Sequence, residues 1–211
     1  GRILLIPTTP STEGAAAKIY NPLTNNLTTA GGSHWATYNT ADNTFYGGTL
    51  MTNGAVFINP SVSGIPGIIY DPINNTTKIT TSTFPNNSRS CILGLDGNVY
   101  RIPSDSTFSI SFNAGTIYKV TYSPSPFPGA YYLTDTDVDL GGERDEGDPD
   151  KFKCYGATLM ADGRIFIGPL YTTTGIIGAY IYNPQDNSTI PTTTDKFNNG
   201  SGTYNNCAYK G

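Results

Sequence analysis

Apolar positions along this chain come in short runs, and each run is cut by a glycine turn. Residues 157–169 read ATLMADGRIFIGP, two apolar runs separated by Asp162-Gly163. Residues 48–60, GTLMTNGAVFINP, and 91–103, CILGLDGNVYRIP, repeat the phrase. The chain opens on its second half, GRILLIP. Asp-Gly or Asn-Gly between apolar runs is the strongest short hairpin signal, because both positions of a two-residue turn take positive φ. The pattern predicts antiparallel hairpins turning at Gly54, Gly97 and Gly163, with Gly1 at the same phase of a fourth copy. In every copy proline follows that glycine six positions later, as Pro7, Pro60, Pro103 and Pro169.

A second phrase trails each hairpin: Tyr20-Asn21-Pro22, Tyr70-Asp71-Pro72, Tyr122-Ser123-Pro124 and Tyr182-Asn183-Pro184. A polar turn and a Thr-rich stretch come after it. This predicts a third strand, a turn and a fourth strand in each unit. Runs such as AVFI and RILLI are apolar throughout rather than alternating, as in a sheet covered on both faces. Repeated four-stranded antiparallel sheets that cover one another describe an all-β protein of β-propeller type. The glycines are spaced 53, 43 and 66 residues apart. That is nearer the ~50 residues of kelch-type blades than the ~40–45 of WD40 blades. No segment has a useful 3.6-residue period, so no helix is expected.

The stretch TLMADGRIFIGP…AYIYNPQDNST resembles the divergent kelch-type repeat of galactose-oxidase and glyoxal-oxidase propellers, in which an LLxDGRV hairpin precedes EVYDPxTNTW. The resemblance spans the whole chain, 1–211, and concerns the blade rather than any activity. The kelch Gly-Gly pair after the second strand is replaced by Asn59-Pro60 or Gly168-Pro169. The Trp after the Tyr-Asx-Pro turn is missing in every copy, and Trp35 lies elsewhere. Propellers usually hold 4–8 blades. The tail YNNCAYKG resembles the approach to a hairpin, so both ends lie at one phase of the repeat. The expectation is a part of a larger ring, with neighbouring sequence on both sides, over a small ring closed by its two ends.

Charge changes the picture locally. Net charge is −4 and 13% of residues are charged. No electrostatic footprint for nucleic acid or an anionic membrane is present, and no run is long enough for membrane insertion as a helix. Eight of the sixteen acids fall between Asp135 and Asp150. Residues 133–152 are expected to form an acidic insertion between blades. Within it Asp135, Asp137, Asp139, Glu143 and Glu146 stand at positions 1, 3, 5, 9 and 12, the spacing of a calcium loop. Position 6 is Leu140 where such a loop needs glycine. A solvated acidic loop is the competing reading; calcium is the cofactor expectation.

Other chemistry is thin. The copper centre of the resembling oxidases needs two His, a Tyr and a Cys-crosslinked Tyr, so the single histidine, His34, cannot complete a copper site here. Ser33 is its sequence neighbour, which gives no triad geometry. Cys91, Cys154 and Cys207 each fall at or before a first strand, about one repeat apart. They are expected to be free thiols packed as small apolar residues. Sequons stand at Asn26, Asn74, Asn75, Asn86, Asn187 and Asn199, a small excess over chance.

Taken together, these features predict a non-catalytic structural or attachment module. It would sit on an exterior surface, a virion or a cell envelope, extracellular in either case. Its loops would meet a protein lattice or a glycan. The alternative is the propeller of a secreted oxidase or glycosidase whose catalytic residues lie outside this chain.

Overall fold

The computed structural model describes residues 1–7, 16–38, 45–84, 88–103, 116–123, 130–139, 154–169, 171–172, 175–176 and 179–191. It is an all-β protein of antiparallel meanders. The first sheet has three strands, β1 (Ile3–Leu5), β2 (Lys18–Asn21) and β3 (Asn26–Thr29). The second holds β4 (Phe45–Leu50), β5 (Val56–Pro60), β6 (Pro66–Asp71) and β7 (Thr76–Thr83). The third holds β8 (Ser88–Leu93), β9 (Val99–Pro103), β10 (Thr116–Ser123) and β11 (Ala130–Asp139). In the fourth, β12 (Cys154–Leu159) and β13 (Ile165–Pro169) are followed by a ribbon of β14 (Tyr171–Thr172) and β15 (Gly175–Ile176). Its sheet is completed by β16 (Tyr180–Asn183) and β17 (Ser188–Pro191). Each four-stranded sheet follows chain order, as the repeat predicts.

The hairpin turns differ in one respect from expectation. Gly54, Gly97 and Gly163 have φ of 83°, 80° and 88°, but Asn53, Asp96 and Asp162 are not in the left-handed region. The bonds Gly54 N–H to Met51 O (3.0 Å) and Met51 N–H to Ala55 O (2.8 Å) close a three-residue loop, and the other two hairpins repeat it. This is a type I turn ending in a left-handed glycine, the second commonest hairpin connection. The Asx side chain accepts from the N–H two residues on, at 3.1 Å for Asn53 and Ala55. Asp96 and Asp162 do the same for Asn98 and Arg164.

The repeated proline also finds its reason. Opposite Pro60, Pro103 and Pro169 the ladder shifts register, between Phe45 and Gly48, Ser88 and Ser90, and Cys154 and Gly156. Proline cannot donate to a ladder and is tolerated at such bulges.

Consecutive sheets pack face to face through three apolar cores. Ala17, Trp35, Phe45, Ile58, Ile68 and Tyr70 join the first sheet to the second. Phe57, Ile69 and Phe84 meet Val99 and Val120 between the second and third. Tyr100, Ile102 and Ile117 meet Ile165, Ile167, Tyr180 and Tyr182 between the third and fourth. Within β5 and β6, neighbouring residues serve opposite cores: Ile58 and Ile68 one, Phe57 and Ile69 the other. That is why these strands are apolar throughout. First strands of successive sheets lie together, β4 against β8 and β8 against β12. Among the described residues no barrel or closed ring is found.

One helix corrects the all-strand expectation: α1, His34–Tyr38. It is a single turn, too short for a 3.6-residue period to register, and tertiary contacts hold it. Trp35 is buried, its Nε1–H donates to Gly31 O at 2.8 Å, and its ring lies 6.1 Å from that of Tyr70.

Candidate functional site

The turns that join third to fourth strands share a construction. Tyr20, Tyr70 and Tyr182 donate their hydroxyls to Oδ1 of Asn25, Asn75 and Asn187, at 3.2, 2.8 and 2.9 Å. Those asparagines have φ of 49°, 53° and 58°, the left-handed conformation that asparagine tolerates better than most residues. At the start of each turn Asn21, Asp71 or Asn183 accepts the N–H two residues on. Tyr-Asx-Pro-x-x-Asn is thus one closed turn built three times. In the third sheet Ser123 follows Tyr122, and the turn itself lies outside the described residues.

In a meander the first-to-second and third-to-fourth turns fall at the same end of the sheet. That end therefore gathers the hairpin tips and these asparagine turns. Burial pushes the Tyr70 phenol above its ordinary range; the charge of Arg2 opposes this and that of Asp71 adds to it. Asp71 lies below the usual carboxylate range because Asn74 donates to it, side chain at 2.7 Å and backbone at 3.2 Å. At the neighbouring hairpin, burial raises Asp96. The Asn98 and Tyr100 hydrogen bonds and the charge of Lys119 outweigh that, so the net shift is downward. Asp162 is lowered by Arg164, and Asp186 by Ser188. These carboxylates are consumed in turn structure.

The sequons now take a structural meaning. Asn75 and Asn187 are the left-handed asparagines themselves, and Asn26 and Asn74 adjoin that position. A turn that needs Asn before a Thr- or Ser-rich strand writes Asn-X-Thr or Asn-X-Ser as a by-product. All four are exposed, whereas Asn86 and Asn199 lie outside the described residues.

A buried polar cluster escaped the sequence reading. Arg101 on β9 is fully buried, with Nε donating to Asn59 Oδ1 and Nη2 to Pro60 O, both at 3.0 Å. Its guanidinium lies 4.4 Å from the centre of the Phe84 ring. Asn59 in turn donates to Ser88 Oγ at 3.1 Å. The cluster ties the second sheet to the third. Its only sequence signal is that Arg101 stands where the other repeats have Ile58 and Ile167.

Three of the five expected metal-site residues fall within the described residues. Asp135, Asp137 and Asp139 lie on β11, with Asp135 opposite Tyr118 and Asp139 opposite Thr116. Residues 133–139 are therefore strand, not the expected loop. Spacing 1, 3, 5 is a calcium-loop spacing and equally the period of a strand, and Thr134, Thr136 and Val138 fill the alternate positions with β-branched residues. Glu143 and Glu146 lie outside the described residues. Among the described residues no group of three or more His, Cys, Asp or Glu side chains gathers.

His34 places Nδ1 2.8 Å from Thr77 Oγ1 and stacks on Tyr38. Ser33 precedes it, its carbonyl accepting from Thr37 Oγ1 at 3.4 Å. Cys91 is a free thiol against the core between the second and third sheets, and burial pushes it up to about 12 against the charge of Arg101. Cys154 opens β12, and Cys207 lies outside the described residues.

No family model matches the chain, and no curated protein matches it. Two solved structures resembling it are extracellular domains of BT4673 from B. thetaiotaomicron, one titled a one-component and the other a hybrid two-component system. Identity is 12% in both, with TM-scores of 0.31 and 0.32. The alignments cover 84% and 89% of this chain but 26% and 29% of those chains. No helix among the described residues is long and apolar enough to cross a membrane.

Proposed function

We propose that the chain is a set of kelch-like propeller blades, part of a larger ring, serving as a non-catalytic structural or attachment module. Its place is an exterior surface, virion or cell envelope, and its partner is a protein lattice or a glycan. The observation that carries this reading is the stack itself: successive sheets joined by three apolar cores, with polar turns repeated along one end. Leu23 and Ile73, each 87% exposed, sit on those turns among Asn, Thr and Tyr. Such tips offer hydrogen bonds and apolar contact with little charge, which suits a protein or sugar surface.

The acidic segment is proposed to hold a hard cation through Asp135, Asp137, Asp139, Glu143 and Glu146. Alternate residues of an extended strand lie ~6.6 Å apart, against calcium–oxygen distances of about 2.3–2.6 Å. The strand aspartates would then share the ion with the acids that follow rather than surround it alone.

The role is tested on the native source. Antibody labelling and fractionation should place the chain on the virion or envelope exterior. A freely soluble form that turns over alcohols, aldehydes or glycosides would sink the proposal.

A further inference from the structure

Two Asn-Gly pairs occur in the chain, Asn53-Gly54 and Asn199-Gly200, and the second lies outside the described residues. Asn-Gly is prone to self-modification, because glycine has no Cβ to shield its amide nitrogen. Once deprotonated, that nitrogen attacks Cγ of the preceding asparagine. The N–Cγ bond forms and the Cγ–Nδ2 bond breaks. The glycine's proton, passed through solvent, leaves with the Nδ2 amino group as ammonia. Water then opens the five-membered imide at either carbonyl and leaves an aspartyl or an isoaspartyl link.

Burial does not protect Asn53-Gly54. Both residues are exposed, and a Cβ added to Gly54 would meet nothing within 4 Å. Geometry does protect it. Gly54 N–H donates to Met51 O at 3.0 Å, so the attacking nitrogen is held within the loop. Asn53 Oδ1 accepts from Ala55 N–H at 3.1 Å, which fixes the side-chain amide toward the residue beyond. In the type I turn Asn53 takes the second central position, where ψ is about 0°. At that ψ the Gly54 nitrogen eclipses the Asn53 backbone nitrogen, whereas the imide needs it to eclipse Cβ.

We infer that Asn53-Gly54 is a self-modification site gated by its own hairpin. It is unreactive while the hairpin is closed and deamidates when the hairpin opens, to one product that the fold accepts and one that it rejects. The sister hairpins show which is which. Asp96 and Asp162 occupy the same position and accept from Asn98 and Arg164 N–H at 3.2 and 3.1 Å. An aspartyl product can accept from Ala55 N–H in the same way. An isoaspartyl product routes the main chain through Cβ and adds one atom to a loop closed by Met51 N–H and Ala55 O. Met51 and Ala55 are buried in the core between the second and third sheets, so that product loosens the core as well.

The test uses the whole purified chain in an Asn199→Gln background, which removes the second pair. It is incubated at mildly alkaline pH, folded and unfolded in urea. The peptide holding residues 53–54 is followed by mass for the exchange of NH for O. Deamidation should run at least about tenfold slower in the folded chain, the factor set by a local opening that costs about 1.4 kcal/mol. Modified chains from the folded incubation are separated by ion exchange, with Asn53→Asp as the standard for the aspartyl product. That variant should melt with the unmodified chain, and the isoaspartyl chain at a lower temperature. Similar rates in the folded and unfolded chain would overturn the gate. An isoaspartyl chain as stable as Asn53→Asp, or an Asn53→Asp chain that melts early, would overturn the division between the products.

Discussion

Asn75 is the residue on which the turn construction can be tested most sharply. Its Oδ1 accepts from the Tyr70 hydroxyl at 2.8 Å and from Gly31 N–H at 2.7 Å, and its φ is 53°. Asn75→Ala removes both bonds and leaves alanine in a left-handed conformation. Tyr70 is buried, so its orphaned hydroxyl costs about 1–3 kcal/mol. The Gly31 N–H is exposed and can turn to water, so its loss costs about 0.5–1 kcal/mol. Left-handed alanine adds about 1 kcal/mol. The sum is about 2.5–5 kcal/mol, or about 5–20 °C for a chain of this size.

Asn75→Gly should recover the backbone part and settle near 2 kcal/mol. Asn75→Asp keeps the acceptor oxygen and should cost least. The internal control is Asn25. Its partner Tyr20 is only half-buried and the bond is 3.2 Å, so Asn25→Ala should cost little beyond the backbone term, about 1 kcal/mol. Urea unfolding of each variant reads these differences as midpoint shifts at constant slope. An Asn75→Ala midpoint close to the unchanged chain, or Asn25→Ala as damaging as Asn75→Ala, would refute the reasoning.

Arg101→Met should destabilise by about 1–3 kcal/mol, because the buried oxygens of Asn59 and Pro60 lose the guanidinium; urea midpoints check it. Asp71, Asp96, Asp162 and Asp186 all have folded pKa values below the ordinary 3.8. Their contribution is present above about pH 4 and is lost as pH falls through the folded values. Stability should therefore hold from neutral pH to about 4 and decline below it, and Asp96→Asn should make the decline shallower. The Cys91 thiol, raised to about 12, should resist a disulfide reagent in the folded chain and react after unfolding, as a Cys154→Ala/Cys207→Ala background would show. A cation on the acidic segment should raise the melting temperature by mass action, about 2.7 kcal/mol at a hundredfold excess over its dissociation constant; chelator with no effect would leave a solvated segment.

Much of the architecture was legible because each repeated letter has a local physical cause. Gly54, Gly97 and Gly163 are at φ near 80° because the hairpin demands it. Pro60, Pro103 and Pro169 mark bulges where a missing N–H does no harm. The uniform apolarity of Val56–Ile58 follows from a sheet with a neighbour on either side. What escaped were features without a period. Helix α1 is one turn long. Arg101 is buried where Asn59 and Pro60, 42 and 41 residues away, bring it oxygens, and no local pattern reports that. The type of the hairpin turn was also missed, since Asp-Gly is compatible with both the two-residue and three-residue loops.

The acidic segment shows why a motif needs its local structure before its chemistry. Asp135, Asp137 and Asp139 satisfy two templates at once, a coiled cation loop and a strand, because both place residues at alternate positions. The residues between them separate the templates. A cation loop wants glycine and short polar groups there, to turn sharply. This segment has Thr136 and Val138, which are stiff at χ1 and favour extension, and Leu140 where the glycine belongs. In the structure β11 runs through Asp139 and completes the third sheet. The sequons repeat the lesson, since Asn75 and Asn187 match a glycan acceptor yet are positioned by Tyr70 and Tyr182. In this chain polar residues at the turns are first the means by which sheets end and reverse. Any partner recognises the surface that remains after those bonds are made.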